Sequence, residues 1–400
     1  MRHSEAIRPL GLSGAYPLTL EGGRRVLIMS TSAGTGHVKA AEALEKAFAQ
    51  DARVDEVINN DALRYTNRLF RDFYSKFYAS LVKSAPNFLG WWYKHSDEPW
   101  RTDAMRHMID RMNTRPLVKF IRDYDPHVTV CTHFMPAGII SHLVATQQIQ
   151  AQLSIVVTDF DFHAMWLSRA CHRYFVAIDE TRAHLSMLGI PADRITVSGI
   201  PIDDAFARPV DRDEICRKRG LNPNVPIILL SAGAAGTDET GFMVEQLMNL
   251  KHQTQTIVVC GRNDELRARA NRLQQTSPAT LRVVGYTDEM HELMGVADLF
   301  IGKPGGMTSA EAIATGLPMC VVNPIPGQEE RNSDHLLEQG IAIKCNELAA
   351  LTYKVDRLLD EPLRLARMRA NALRFSKPDA ARKVVATLLE DDLPSLSIWS

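Results

Sequence analysis

Four hundred residues exceed what one hydrophobic core usually organises, so two domains are expected. The composition, 45% apolar and 23% charged, is that of a globular protein able to bury large cores, and a net charge of −1 offers nothing to attract nucleic acid. The stretch up to Gly23 lacks an apolar run suited to a secretory signal, and nowhere do about 18 consecutive apolar residues offer a membrane span, which predicts a cytoplasmic protein. Cys131, Cys171, Cys216, Cys260, Cys320 and Cys345 are scattered without a CxxC pair, so they are expected to be reduced, buried thiols rather than a disulfide frame or a zinc site.

In chain order, apolar runs predict strands at 25–29, 128–131, 153–157, 173–176, 195–197, 227–230, 256–259, 281–284, 299–301 and 319–322, with helices in most gaps. Such alternation argues for an α/β fold of parallel sheets covered by helices. RRVLIMSTSAGTGHVKAAEAL and PIILLSAGAAGTDETGFMVEQL share one plan: apolar strand, small-residue loop, helix. Each opens a Rossmann-like half, with ligands expected at the carboxyl ends of the strands. Pro209, a charged stretch and Pro223 mark the boundary. The expected division is a flexible segment 1–23, a first domain 24–208, a second 209–378, and a C-terminal helix and tail 379–400 that crosses back to the first domain.

The loop STSAGTGH lacks GxGxxG spacing, and none of Asp51, Asp55 and Asp61 ends a clear second strand, which disfavours a dinucleotide site. His37 stands where this loop becomes a helix. It is either a polar residue at a helix start or a base, since imidazole takes a proton from a hydroxyl near neutrality. Within 65–119, Phe70, Phe73, Phe77 and Leu81 recur at helical spacing among Arg68, Arg71, Lys76 and Lys83, and Trp91, Trp92, Tyr93 and Trp100 follow. Aromatics beside cations suit an interfacial helix on an anionic membrane, while an aromatic stripe also suits a core.

The segment IGKPGGMTSAEAIATGLPMCVVNPIPGQEERN is the most informative. It reads as the end of a buried strand, a loop with Gly302, Gly305 and Gly306, and a helix opening near Thr308. Unpaired N–H groups at a helix start, approached closely through glycines, suit a phosphate or diphosphate. Glu311 is expected on the first turn, within reach of a sugar attached to that phosphate. After the next strand, Gln328, Glu329 and Asn332 complete a polar cluster fit for a polyhydroxylated ligand. The plainer reading is a βαβ unit with glycines at ordinary turns.

SAGTGH with VKAAEAL, VTDFDFHAMW, SGIPI, LLSAGAAG, and GKPGGMTSAEA to GQEERN together resemble the monogalactosyldiacylglycerol synthase group of glycosyltransferases and the bacterial diacylglycerol glucosyltransferases. The lipid II-forming N-acetylglucosaminyltransferase is a more distant likeness. The resemblance spans 25–377. It implies a GT-B enzyme, two Rossmann-like domains with parallel sheets facing across a cleft, that transfers a hexose from a UDP-sugar with inversion. On that basis Gly305, Gly306, Met307 and Thr308 face the diphosphate, Glu311 the ribose, Gln328 and Glu329 the sugar, with Asn332 nearby. Ser231, Gly233 and Ala234 approach the diphosphate and sugar, and Gly285 and Tyr286 the nucleobase.

His37 matches the family's candidate base, although Ala33 and Thr35 stand where plant members have glycines. Asp159 and Asp161 form a DxD string that elsewhere suggests a metal; hard cations want more oxygens than this, so Asp159 is expected to orient or assist the base, or to touch the acceptor hydroxyl. His163 and Trp166 match an H-x-x-W pattern, structural or acceptor-binding in equal measure. The acceptor implied is a lipid such as diacylglycerol, met at the inner face of the membrane by a peripheral enzyme, with Trp91 and Trp92 as candidate contacts. No cofactor beyond the UDP-sugar substrate and no essential metal is expected. The rivals are a nucleotide-sugar epimerase or hydrolase, N-acetylglucosaminyl transfer to another lipid-linked acceptor, a nicotinamide-dependent oxidoreductase and a noncatalytic lipid-surface protein.

Overall fold

The computed structural model describes residues 23–32, 34–66, 97, 115–168, 170–231 and 237–390. They belong to two compact units, Met1–Asp203 with Asp379–Ser400, and Asp204–Pro378. The first unit contains β1 (Arg24–Ser30), α1 (Thr35–Ala49), β2 (Val54–Asp61), α2 (Arg115–Tyr124), β3 (Val128–Cys131), α3 (Phe134–Ala145), β4 (Leu153–Val156), β5 (Arg173–Val176), α4 (Asp179–Met187) and β6 (Ile195–Val197). The second contains α5 (Arg212–Arg219), β7 (Ile227–Ser231), α6 (Thr237–Leu247), β8 (Gln255–Val259), α7 (Asp264–Thr276), β9 (Leu281–Val284), α8 (Met290–Val296) and β10 (Leu299–Gly302). It continues with α9 (Gly306–Ala314), β11 (Met319–Val322), α10 (Gln328–Glu338), β12 (Ala342–Cys345), α11 (Leu351–Leu359) and α12 (Pro362–Phe375), after which α13 (Ala380–Leu389) returns to the first unit.

In the first unit the strands form one parallel sheet in the order β2-β1-β3-β4-β5-β6. Successive strand side chains point to opposite faces, so β1 sends Leu27 and Met29 into one core and Val26 and Ile28 into another. The first core is closed by α2, α3 and α4. The second is closed by Ala41, Leu44 and Phe48 of α1, which recur at helical spacing, and by Val384, Val385, Leu388 and Leu389 of α13. Each of those α13 side chains contributes about 1.5–3 kcal/mol by burial.

The second unit repeats the plan with the order β12-β11-β10-β7-β8-β9, again all parallel. Every expected strand is present with ends within one residue. Two strands not expected, β2 and β12, are sheet edges. β2 is only partly buried, and β12 is four residues long with two of them half-buried, so neither carries the continuous apolar run of a strand covered on both faces. β2 does end in an acid, Asp61, but its carboxylate accepts from Leu63 N at 2.9 Å and caps the turn that follows. All six cysteines are free and buried. Among the described residues no helix is long and apolar enough to cross a membrane.

In each sheet the strand order reverses at one place, between β1 and β3 and between β7 and β10. Loops at the carboxyl ends diverge there and leave a crevice where open α/β sheets bind ligands.

Candidate functional site

At the reversal in the first unit, the chain leaves β1 and turns through Gly34, whose φ of 134° is a conformation side chains other than glycine's rarely allow. A Cβ there would also stand 3.5 Å from Cδ2 of His37. His37 is the third residue of α1. Its Nδ1 lies 3.1 Å from the Thr132 carbonyl oxygen, just beyond β3, and 2.7 Å from Thr158 Oγ1, just beyond β4. A carbonyl only accepts, so Nδ1 carries the proton and Nε2 keeps its lone pair. Thr132 Oγ1 donates in return to the His37 carbonyl at 2.9 Å, so helix and strand end hold each other.

Burial pushes the His37 imidazole below its ordinary pKa, and the Asp159 carboxylate and the Thr132 carbonyl partly restore it. The result is a ring neutral at neutral pH with a buried anion near enough to stabilise its protonated form. Asp159 is 4% exposed. The ring of His133 meets His37 edge to face with centroids 4.5 Å apart, and Trp166 lies 6.3 Å away.

His163 and Trp166 are buried. His163 Nδ1 accepts from Met165 N at 3.1 Å and caps the short turn Ala164–Trp166. Asp97 Oδ1 accepts from Ala164 N at 2.9 Å, pinning the same turn. These contacts give His163 a role in shaping the loop that presents Trp166 towards His37. Asp161 accepts from the neighbouring Phe162 N at 2.7 Å. Among the described residues, no three His, Cys, Asp or Glu side chains are grouped to hold a metal ion. Trp91 and Trp92, with Ala33 and the aromatic and basic positions from Arg68 to Trp100, lie outside the described residues.

At the reversal in the second unit, Ser231 ends β7 opposite Gly302, which ends β10. A Cβ on Gly302 would stand 2.8 Å from the Ser231 carbonyl oxygen, so only glycine allows the strand ends this approach. The helix α9 opens at Gly306, two residues before the expected start at Thr308, because Gly305 is already its cap. Ser309 N makes the first helical bond, to Gly305 O at 2.9 Å. The N–H groups of Gly306, Met307 and Thr308 therefore have no helical acceptor, no side chain caps them, and no acid sits in the first turn. Such an end suits an anion.

With the earlier start, Glu311 falls on the second turn rather than the first, on the same face as Thr308. Glu329, near the start of α10, accepts from Ile325 N at 2.7 Å through Oε2. Its Oε1 lies 3.8 Å from where a Gly305 Cβ would stand, so the two loops converge. Gln328 is the first residue of α10, and Asn332 is fully buried one turn later. Asn323, beyond β11, donates to Glu239 of α6 at 2.8 Å. Gly285 and Tyr286 follow β9, two strands from β7 and hence about 10 Å aside. Gly233 and Ala234 lie outside the described residues.

Sequence reasoning missed Thr132, His133, Thr158 and Arg262. The first three follow β3 and β4 directly, and polar residues ending buried strands beside a reversal were the available signal. Arg262 stacks its guanidinium over the exposed Tyr286 ring at 4.6 Å and thereby extends the shelf at the ends of β8 and β9.

Two family descriptions match along the chain: Monogalactosyldiacylglycerol (MGDG) synthase over residues 37–202, and the Glycosyltransferase family 28 C-terminal domain over 233–384. Each half of the chain thus matches a glycosyltransferase description, and the protein is a glycosyltransferase. A processive diacylglycerol beta-glucosyltransferase of Bacillus thuringiensis is 28% identical over 383 residues, 92% of this chain and 94% of the relative, and a Bacillus cereus protein of the same name matches equally. Among solved structures, MurG of Acinetobacter baumannii aligns with a TM-score of 0.61 at 17% identity, over 92% of this chain and 100% of that one. MnaA of S. aureus, solved with UDP, aligns with a TM-score of 0.63 at 14% identity, over 91% and 96%. The fold of this glycosyltransferase is GT-B.

Proposed function

We propose that this glycosyltransferase moves a hexose from a UDP-sugar to a lipid acceptor such as diacylglycerol, with inversion and with His37 as the base. The observation that carries the role of His37 is the bond from Nδ1 to the Thr132 carbonyl, which leaves the unprotonated Nε2 as the basic atom. The named activity of the Bacillus relatives over nearly their whole length supports the choice of donor and acceptor. The family match over 37–202, the half that holds His37, favours transfer over the epimerase reading.

The chemistry follows from charge. The acceptor hydroxyl loses its proton to His37 Nε2 as its oxygen attacks the anomeric carbon; the imidazolium so formed is stabilised by the Asp159 carboxylate. Negative charge grows on the departing UDP, and the unpaired amides of Gly306, Met307 and Thr308 stabilise it. Glu311 is assigned the ribose hydroxyls, Gln328 and Glu329 the sugar, Asn332 the support of that loop, and Tyr286 with Arg262 the base. These groups supply acid–base and electrostatic catalysis without calling on a metal. We place the enzyme at the cytoplasmic face of a membrane, as a peripheral protein, because its acceptor is a lipid.

A transfer assay with a panel of UDP-sugars against diacylglycerol and other membrane lipids, products weighed by mass spectrometry, tests the proposal. A glycosylated lipid with inverted anomer is expected. Epimerised or free sugar from UDP-sugar alone, with no lipid product, would overturn it in favour of an epimerase or hydrolase.

A further inference from the structure

His133 directly follows the carbonyl that fixes His37, and it is 3% exposed. Three contacts determine its state. Its Nδ1 accepts from Met135 N at 3.0 Å, which makes it the cap of α3. Its ring stacks on Phe134 with centroids 4.2 Å apart and planes at 30°. It meets His37 at 86° across 4.5 Å.

A backbone N–H only donates, so Nδ1 of His133 is unprotonated and its single proton sits on Nε2. Charging this ring would break the cap and bury a second cation against His37. Burial and the neighbouring His37 accordingly hold its pKa well below the ordinary value. His133 therefore stays neutral while His37 titrates.

We propose that His133 is a positioning residue for the base: a neutral imidazole, locked by the backbone, that sets the plane of the His37 ring and keeps water from one side of it. The inference rests on the reading of His37 as base. The groups facing His37 are the Thr132 carbonyl, the Thr158 hydroxyl, Asp159, His133 and the Trp166 ring. Asp159 favours the charged ring, and the dry wall that includes His133 disfavours it. Histidine is required because two tasks meet at this position. Asparagine would cap α3 but not fill the space, and phenylalanine would fill it but accept no hydrogen bond.

The test compares His133→Asn, His133→Phe and His37→Gln in the full chain. Histidine-selective NMR of the ligand-free protein reads the His37 tautomer and pKa, thermal melts read the cap, and turnover is followed with diacylglycerol in mixed micelles and the UDP-hexose used best. His133→Asn keeps the cap, so it should melt close to wild type. Its His37 pKa should rise, the acid limb of kcat/KM should rise with it, and kcat should fall about ten- to a hundredfold with KM for the UDP-hexose within about twofold. His133→Phe should keep the His37 pKa near wild type and melt lower. An unchanged His37 pKa in His133→Asn, or equal shifts in both variants, would overturn the positioning role. Full turnover by His37→Gln would instead overturn the base, and the NMR comparison would still decide what His133 does to the ring.

Discussion

The two sheet reversals are built alike and equipped differently. Beside β1 and β3 the first unit places side chains that titrate, His37 with Asp159 and His133 around it. Beside β7 and β10 the second unit places glycines and bare amides, with the nearest carboxylates held back on α10 and the second turn of α9. One topology thus supports two chemistries. Moving a proton needs a group whose pKa the surroundings can tune, whereas holding a diphosphate needs fixed dipoles and room for the anion to come close.

This contrast predicts that the two sets fail separately. The largest effect should come from His37→Ala: kcat down about 10²- to 10⁴-fold, with UDP affinity by calorimetry within about twofold. Equal loss of turnover and of UDP binding would end the division of labour. Gly302→Val should follow, since its Cβ would press on the Ser231 carbonyl and the Phe300 ring. A destabilisation of about 1–3 kcal/mol in thermal melts and a loss of UDP binding are expected, while the His37 pKa, read by NMR, stays put.

Thr308→Glu sharpens the comparison because its two effects have opposite sign. A carboxylate in the first turn stabilises a helix by about 0.3–1 kcal/mol and repels a second anion there, so the protein should melt slightly higher and bind UDP about tenfold more weakly. The smallest effect is in stability against pH. His37 and His133 both have depressed pKa values in the folded protein, so below the ordinary histidine value of about 6.5 the unfolded chain binds protons that the folded one refuses. The melting temperature should fall as pH drops through that point, and less steeply in His133→Asn.

Much of this was legible in the amino acids. Strands buried on both faces announce themselves as apolar runs, which is why β3, β5 and β11 fall on the expected residues, while the edges β2 and β12, only partly buried, carry no such run. Gly302, Gly305 and Glu329 stood out because glycine and acid beside a strand end are unusual. Thr132, His133 and Thr158 did not, since what makes them matter is the neighbour across the sheet, 95 to 121 residues away from His37 in the bonds that join them. Glu311 was placed a turn too early because Gly305 and Gly306 read as loop, although a glycine can cap a helix and begin one.

The return of α13 has a consequence for biosynthesis. One face of the amino-terminal sheet lacks part of its cover until residues 380–389 have left the ribosome, so that unit, first to be made, is the last to be sealed. The nascent protein therefore carries greasy, unsheltered surface for as long as the second unit is being made, and chaperones would be expected to dwell on it for that long.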